Sequence, residues 1–228
     1  MEVLRNGFTL ELSPGAFPLS TDSVALADFV SLPKNAAVLD LGSGCGTLGL
    51  MLCAREETCR VTGIEISPDA HAMALHNRDT NHLGSRLASI CGDVRRFSEF
   101  IKAGAFRVCI SNPPYFSGGP AGKNVTERRE DLCSLEDLFR AAGWSLCWGG
   151  DLFLVHRPER FAEICALARQ SGMEAKKVRL LRHKENGPVS LVLVQCRKGA
   201  KPGLIWEEAA FYRSDNSPTD YYNSLYGG

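Results

Sequence analysis

Two short segments of the 228-residue chain combine residue types that could bind or transform a small molecule. The first, residues 40–46, reads Asp-Leu-Gly-Ser-Gly-Cys-Gly and follows an apolar run. Closely spaced glycines let the backbone turn tightly and let a ligand approach without side chains in the way. The first glycines after the run stand at 42, 44 and 46, with Gly49 further along, whereas dinucleotide sites begin with Gly-x-Gly-x-x-Gly. There is also no Gly-x-x-x-x-Gly-Lys phosphate loop. The segment therefore predicts a site for a nucleoside without a pyrophosphate.

Two acidic residues stand where the next two predicted strands end. Glu65 closes the apolar run 60–65, and Asp93 follows the run 87–91. In a doubly wound sheet, an acid at the end of the second strand lies beside the ribose and can accept from both of its hydroxyls. Asp93 can accept a hydrogen bond from an adenine amino group. The glycine segment and the two acids, after three successive strands, therefore predict nucleoside binding.

The second segment, Asn112-Pro113-Pro114-Tyr115, is suited to activating an amino group. An amino group conjugated to a ring or a carbonyl is a poor nucleophile because its lone pair is delocalised. The Asn112 side-chain oxygen and the Pro113 carbonyl can accept both N–H bonds, which favours a pyramidal nitrogen. Two prolines stiffen this backbone and remove competing donors, and the ring of Tyr115 offers a face for stacking a planar group. These four residues are the catalytic candidates for methyl transfer to such a nitrogen.

The rest of the chain alternates short apolar runs with amphipathic stretches, at the spacing of βαβ units. Ser67-Pro68 places a capping serine before a proline at the first helical position, and Ser134 with Asp137 has the spacing of a capping box. Thr21-Asp22 begins a helix ahead of the first strand. The predicted strands cover 36–41, 60–65, 87–91, 106–111, 151–156, 175–181 and 190–195, and the predicted helices 21–31, 48–55, 67–81, 134–146 and 158–171.

This alternation predicts an α/β fold with a doubly wound, mostly parallel, seven-stranded sheet and helices on both faces. The connection 182–189 between the last two strands is short enough for a hairpin, so an antiparallel edge strand is expected. The chain divides into an N-terminal segment with a helix over the ligand site (1–35), a main domain (36–198) and a C-terminal extension (199–228).

The composition excludes several classes of protein. Charges balance, with 26 Lys and Arg against 26 Asp and Glu, so net charge argues neither for nor against a polyanionic partner. No apolar run approaches the roughly 20 residues that cross a bilayer, and the N-terminus lacks a signal-peptide pattern. Nine cysteines without a Cys-x-x-Cys pair indicate reduced thiols in a cytoplasmic protein and no metal site. A monomer or weak dimer is expected.

Charge is nonetheless unevenly distributed along the chain. Residues 176–201 contain eight basic residues and one acid, so this segment is strongly positive and the remainder is equally negative. A solvated strand edge and a surface that follows a phosphate backbone both fit this pattern. A long polar segment after residue 115 also carries basic side chains and could close over a substrate.

Both chemical segments resemble those of the class I S-adenosylmethionine-dependent amino-methyltransferases. The chain is most similar to the tRNA adenine-N6 methyltransferases, the family that modifies valine tRNA beside its anticodon. Further matches are Phe17 to Ser23 before the fold, Arg128-Arg129-Glu130 near the family's Ala-Arg-Glu, and Lys198 to Leu204 at its C-terminal signature. The resemblance implies a class I, Rossmann-like methyltransferase fold, S-adenosylmethionine as cofactor and RNA, in particular tRNA, as partner.

The resemblance also implies roles for individual residues. The glycine segment lines the methionine part of the cofactor, Asp40 holds this loop or binds the ammonium group, and Leu19 with the start of the first helix covers the cofactor. The cofactor-binding candidates are Thr21, Asp22, Asp40, Gly42, Ser43, Gly44, Cys45, Gly46, Glu65, Ile66, Asp93 and Asn112, and the RNA-binding candidates are Lys123, Arg128, Arg129, Lys176, Lys177 and Arg179.

Other functions could use the same arrangement. A protein glutamine-N5 methyltransferase binds a side-chain amide in the same Asn-Pro-Pro-Tyr clamp, but usually has a helical domain ahead of the fold, where this chain has 35 residues. An rRNA adenine methyltransferase is a further alternative. A DNA adenine methyltransferase needs a target-recognition domain, for which there is no room. The intact clamp at 112–115 disfavours a cofactor-binding partner without catalysis.

Overall fold

The computed structural model describes residues 2–4, 7–12, 19–113 and 133–226. Two short 3-10 segments, Val94–Glu99 and Pro158–Arg160, accompany the main elements. In chain order these elements are β1 (Glu2–Val3), β2 (Thr9–Leu10), α1 (Thr21–Phe29), β3 (Ala37–Leu41), α2 (Thr47–Arg55), β4 (Arg60–Glu65), α3 (Pro68–Thr80), β5 (Leu87–Cys91), β6 (Phe106–Ser111), α4 (Leu135–Ser145), β7 (Leu146–His156), α5 (Phe161–Gln170), β8 (Met173–Lys184), β9 (Val189–Lys198), β10 (Ile205–Tyr212) and α6 (Asp220–Tyr226).

Eight strands form one sheet in the order β10-β8-β9-β7-β6-β3-β4-β5, while β1 and β2 form a separate small hairpin. Every neighbouring pair in the large sheet is parallel except those of β9, which is antiparallel to both β7 and β8. The predicted α/β class with a doubly wound, mostly parallel sheet is confirmed. The prediction of seven strands is wrong, because β10 adds an eighth. The antiparallel strand lies inside the sheet and not at its edge.

β9 takes an inner position because it is apolar toward both faces of the sheet. Leu191 and Leu193 pack into one hydrophobic core, while Val192 and Val194 pack into the other. A strand that is covered on both faces has a continuous apolar sequence, which is typical of strands in the middle of a sheet. β8, which carries more charge, lies outside it.

The eighth strand comes from the predicted C-terminal extension. β10 pairs in parallel with β8, with Ile205 opposite Lys177 and Tyr212 opposite Lys184. The centre of β10, residues 207–210, reads Glu-Glu-Ala-Ala, and these residue types are depleted in strands. Its pattern therefore does not predict a strand. The segment boundaries at 35 and 198 stay predictions, although the sheet continues past residue 198.

The sheet separates two hydrophobic cores. On one face the buried side chains of α1 and α2, among them Leu26 and Leu50, pack against Phe153 of β7. On the other face Phe139 of α4 and Ile164 of α5 pack against the sheet. Helices therefore cover both faces of the sheet, as its doubly wound topology requires.

Three of the described helices begin with a serine at the N-cap. Ser67 Oγ accepts the Ala70 N–H ahead of the proline that begins α3, and Ser134 with Asp137 forms both halves of a capping box. The N-cap of α1 is Ser20, whose side chain accepts the N–H of residue 23. α1 therefore begins at Thr21, where the sequence predicts it, and a hydroxyl one residue earlier satisfies the helix end.

Gly63 lets β4 pass close to the loop that follows β3. A Cβ atom at Gly63 would lie 2.4 Å from Ser43 Oγ and 2.6 Å from Ser43 Cβ. Any side chain at this position would push the loop away from the strand.

We predict that Gly63→Ala lowers the free energy of unfolding by about 1–3 kcal/mol, the usual cost of overpacking. Gly84→Ala is the matched control, because a Cβ atom there meets nothing within 4 Å. Chemical denaturation measures both variants. Adding Ser43→Gly to Gly63→Ala should restore much of the loss, and a loss that persists in the double variant would show that this contact is not its cause.

Candidate active site

The carboxyl ends of three parallel strands meet at one edge of the sheet. β3 pairs with β4 on one side and with β6 on the other, which places the strand ends Leu41, Glu65 and Ser111 at this edge. Ser111 Oγ donates to the Leu41 carbonyl oxygen at 2.8 Å. Because the glycine segment follows Leu41 and Asn112 follows Ser111, the edge brings together the two segments that carry chemical residue types. Ligands of open α/β sheets bind at this kind of edge.

The glycine segment turns sharply after β3. Gly42, Gly44 and Gly46 have φ angles of +74°, +55° and +82°, a left-handed conformation that glycine adopts readily. Cβ atoms on the first two would meet nothing within 4 Å, whereas one on Gly46 would lie 3.4 Å from the Ala74 Cβ in α3. Gly42 and Gly44 therefore expose backbone to a ligand, and Gly46 lets the loop pack on α3.

Glu65 fastens this loop to the end of β4. Its Oε2 accepts the Gly44 N–H at 2.8 Å, and its Oε1 accepts the Ser67 N–H at 2.8 Å. The carboxylate thus lies beside the open glycine backbone and keeps further acceptor capacity on each oxygen. An acid at this strand end is expected to accept ribose hydroxyls, and this contact of Glu65 stays a prediction.

Asp40 and Ser43 are buried under the loop, and their side-chain oxygens have no hydrogen-bond partner among the described residues. They border a cavity of about 10 Å³, which has room for no more than one water molecule. Burial, followed by repulsion from Glu65, raises the pKa of Asp40 to about 8. A nearby cation favours the charged form of a carboxyl group. An acid of this kind under an open glycine loop fits a nucleoside that carries positive charge.

The other predicted cofactor residues lie around the same edge. Asp93 forms an ion pair with Arg95, with 2.5 Å between Oδ2 and Nη2, and this hydrogen bond holds the pKa of Asp93 below its usual range. Ile66 exposes 40% of its surface, an apolar patch directly after Glu65. Cys45 is buried in the glycine loop. The contacts of these residues with the cofactor stay predictions.

Two asparagines, Asn77 in α3 and Asn81 directly after it, hold the N-terminal segment against the glycine loop, a feature that sequence reasoning missed. Asn77 donates to the carbonyl oxygens of Glu11 and Cys45 at 2.8 and 3.0 Å and accepts the Glu11 N–H. One turn later, Asn81 makes the same pair of bonds with Thr9. Two asparagines four positions apart were the available signal, but their partners in the N-terminal segment lie more than 60 positions away in the sequence.

Asn112 follows β6 and is anchored by α1. Its Nδ2 donates to Ser23 Oγ at 2.9 Å, and Ser23 is in turn hydrogen-bonded to Ser20 Oγ at the start of the helix. Because the amide nitrogen donates to α1, the amide oxygen is the acceptor half of the side chain. Pro113 follows, whereas the catalytic candidates Pro114 and Tyr115 lie outside the described residues.

α1 also borders a second cleft at this edge, here called the C-terminal cleft, with a volume of about 270 Å³. Thr21 and Asp22, which were predicted to cover the cofactor, both line it, and their contact with the cofactor stays a prediction. The residues that define the C-terminal cleft include Thr21, Asp22, Arg157, His183, Tyr212 and Tyr222.

The RNA-binding candidates on β8 interact with other groups of the protein. Lys177 Nζ lies 2.6 Å from Glu207 Oε1, and Arg179 forms ion pairs with Glu207 and Asp28 at 2.9 and 3.0 Å. Lys176 donates to a backbone carbonyl oxygen at 3.0 Å. This surface is therefore largely neutralised, and its contact with RNA stays a prediction. The other RNA-binding candidates, Lys123, Arg128 and Arg129, lie outside the described residues.

The strand order and the placement of the loop and acids at the carboxyl edge are those of a class I methyltransferase. The family model of the methyltransferase small domain matches residues 18–170, and the chain belongs to this family. The prediction of an S-adenosylmethionine-dependent methyltransferase is confirmed, and S-adenosylmethionine is its cofactor. The open glycine backbone and the buried Asp40 carboxyl fit this positively charged nucleoside.

Two relatives bear the name tRNA1(Val) (adenine(37)-N6)-methyltransferase. The one from Shewanella halifaxensis is 33% identical over 151 residues, which cover 65% of this chain and 61% of that enzyme. The one from Actinobacillus pleuropneumoniae is 27% identical over 214 residues, which cover 92% of this chain and 89% of that enzyme. The second match thus spans nearly the whole chain.

Solved structures share the fold. A predicted O-methyltransferase from Agrobacterium tumefaciens has a TM-score of 0.74 at 24% identity, covering 90% of this chain and 95% of that one. Geranyl diphosphate C-methyltransferase from Streptomyces coelicolor, crystallised with S-adenosyl-L-homocysteine, has a TM-score of 0.59 at 12% identity, with coverage of 77% and 78%. At these identities the likeness concerns the fold alone. Within the described residues, no helix has the length and apolarity to span a membrane.

We predict that Asp40→Asn changes the pH dependence of folding stability. The folded protein keeps the Asp40 proton up to about pH 8, whereas the unfolded chain loses it near the ordinary pKa of 3.8. As the pH rises between these values, the free energy of unfolding of the native protein should fall relative to that of Asp40→Asn, by roughly 1 kcal/mol per pH unit. Chemical denaturation over this range measures both proteins, and parallel profiles would contradict a protonated Asp40.

We predict that Ser23→Ala lowers the maximal methyl-transfer rate roughly three- to tenfold, the kinetic equivalent of one hydrogen bond. The reason is that Asn112 loses the partner that orients its amide. Single-turnover kinetics measure the rate and calorimetry measures cofactor affinity, which should stay unchanged. Ser23→Thr keeps the hydroxyl and should recover part of the rate, whereas equal rates for the native protein and Ser23→Ala would argue against this anchoring.

Proposed function

We propose that this chain transfers a methyl group from S-adenosylmethionine to the exocyclic N6 nitrogen of an adenine in tRNA. The observation that carries the proposal is the placement of Asn112, which follows β6 beside the glycine loop and has its amide oriented by Ser23. An amide oxygen at this point can accept an N–H bond from a planar amino group. The relatives named for adenine-N6 methylation of tRNA1(Val) support this choice of acceptor.

The chain's own part in the reaction is to hold and polarise the amino group. S-adenosylmethionine, when bound, supplies an electrophilic methyl group on a positively charged sulfur. Asn112 Oδ1 and the Pro113 carbonyl oxygen accept the two N–H bonds of the adenine amino group, which favours a pyramidal nitrogen and frees its lone pair. These contacts strengthen as the nitrogen becomes positive, so they stabilise the transition state more than the ground state. The surplus proton leaves to solvent once the N–C bond has formed and the C–S bond has broken.

The acidic residues at the edge of the sheet hold the cofactor in this proposal. Glu65 accepts the ribose hydroxyls beside the glycine loop, Asp93 accepts from the adenine amino group of the cofactor, and Asp40 faces the positive charge from below. Ile66 offers its exposed apolar side chain to a ring. The glycine backbone and the acids thus form the donor side, and Asn112 forms the acceptor side.

The tRNA acceptor imposes a further requirement. An adenine in a stacked loop cannot present its amino group at this edge, so the base has to leave its stack. Contacts to the rest of the RNA have to supply that energy. We place the activity in the cytoplasm, which agrees with nine free cysteines, since disulfides are rare in that compartment.

A labelling experiment tests the proposed function. The protein is incubated with methyl-labelled S-adenosylmethionine and, separately, total tRNA, ribosomal RNA and total protein. We predict label in tRNA, recovered as N6-methyladenosine by nucleoside analysis. Asn112→Ala should reduce the single-turnover rate by about a hundredfold or more, as for other preorganised polar groups that act on a transition state. Its cofactor affinity, measured by calorimetry, should change little.

Asn35→Gly is the matched control for this experiment. Asn35 is an exposed asparagine ahead of β3, at the opposite edge of the sheet, and its φ of +57° suits glycine. If label appears only in a glutamine of the protein fraction, the acceptor is a protein and not RNA. If label appears only in ribosomal RNA, the acceptor is ribosomal RNA and not tRNA. A native rate in Asn112→Ala would contradict the role of the amide.

A further inference from the structure

Four aromatic rings lie in series at the same edge of the sheet as Asn112, and three of them, His183, Tyr212 and Tyr222, line the C-terminal cleft. The ring centroids are 5.1 Å apart for His183 and Tyr212, 5.0 Å for Tyr212 and Tyr222, and 4.7 Å for Tyr222 and Tyr226. The series ends at α1, where the Tyr226 hydroxyl donates to Thr21 Oγ1 at 3.3 Å. The rings therefore connect the end of β8 with the start of α1.

The two inner rings of the series, Tyr212 and Tyr222, pack against the hydrophobic core, whereas the two outer rings are exposed. Phe211 and Leu225, each 4% exposed, make the buried contacts that dock β10 and α6 on the core. His183 is exposed at one end of the series, and Tyr226 is 46% exposed at the other. Imidazole and phenol rings that stay at the surface offer flat faces with polar rims, which suit planar polar partners such as nucleobases.

A cation stands beside these rings. Arg157 follows β7, is exposed, and lines the cleft. Its Nη1 donates to the Ser190 carbonyl oxygen at 3.3 Å, which holds the guanidinium at the cleft wall. Single-stranded RNA is recognised by stacking of its bases on aromatic rings and by cations at its phosphates. The cleft supplies both kinds of group.

The C-terminal cleft lies next to the acceptor position. Thr21 in its wall is two positions from Ser23, which bonds to Asn112. β7, which Arg157 follows, is the immediate neighbour of β6, and β10 lies four strands from β6. With adjacent strands about 4.8 Å apart, the cleft extends from about 5 Å to about 20 Å from the end of β6. Nucleotides on either side of an adenine at Asn112 fall within this span.

We propose that the C-terminal cleft binds the unpaired nucleotides next to the target adenine, stacking their bases on His183 and the tyrosines while Arg157 meets phosphate. This inference rests on the proposed RNA acceptor and assigns these RNA contacts to groups other than Lys176, Lys177 and Arg179 of β8. Stacking of the neighbouring bases supplies the energy that keeps the adenine out of its own stack. The last 30 residues thereby help to select the RNA.

The test uses the full chain and a stem-loop RNA whose loop contains the methylated adenine. 2-Aminopurine replaces, one at a time, the bases next to that adenine, and its fluorescence falls when it stacks. The native protein should quench at least one position, and His183→Ala and Tyr226→Ala should lose this quenching. Both should raise the KM for RNA about tenfold or more, the effect of one lost base stack. The kcat and the cofactor affinity should stay native.

Two further variants sharpen the test. Trp148→Ala is the control, because Trp148 is 78% exposed on β7 at the opposite edge of the sheet. His183→Phe keeps a ring at the cleft and should retain the quenching. Native KM and quenching in His183→Ala and Tyr226→Ala would overturn the inference while the proposed function stands. Equal losses of quenching in His183→Phe and His183→Ala would overturn stacking as the mode of binding. In the labelling experiment, label confined to protein would overturn both proposals.

Discussion

The parallel pairing of β3 with β4 and β6 is the constraint on which the rest of the site depends. Because all three strands run in one direction, the glycine turn, the Glu65 carboxylate and the Asn112 amide leave the sheet at the same edge. The Ser111–Leu41 hydrogen bond fixes the two inner strand ends relative to each other. The distance between donor and acceptor sides is thus set by backbone pairing and not by flexible side chains, as preorganised catalysis requires.

The sheet divides into two halves around β3. The half formed by β3, β4 and β5 carries the glycine loop and the acids, and the N-terminal segment is held against it by Asn77 and Asn81. The half formed by β6, β7, β9, β8 and β10 carries Asn112 and the C-terminal cleft. Within this second half, α1 connects the two, since its Ser23 contacts Asn112 and its first turn lines the cleft. A shift of this helix would therefore alter acceptor orientation and RNA contacts together.

The sequence predicted much of the donor side and less of the acceptor side. Local signals were sufficient for the strand ends, for Glu65 and for the caps at Ser67 and Ser134, because each depends on residues close in the sequence. Ser23 was not predicted as a partner of Asn112, since a serine hydroxyl on a helix has no pattern that identifies a residue 89 positions away. The basic residues of β8 suggested a phosphate surface because the acids that pair with them lie on other elements. Glu207, for instance, is 28 positions from Arg179.

β10 covers the outer edge of β8, and this matters for a chain in which β10 is missing. β8 is 12 residues long, and without β10 its outer row of N–H and C=O groups would be an unpaired sheet edge. Long exposed edges pair with other chains and lead to aggregation. β10 replaces this edge by one of 8 residues, with Glu207 and Glu208 at its centre. A chain that ends before residue 205, whether through truncation or during synthesis, would leave β8 open to pairing with another copy of itself.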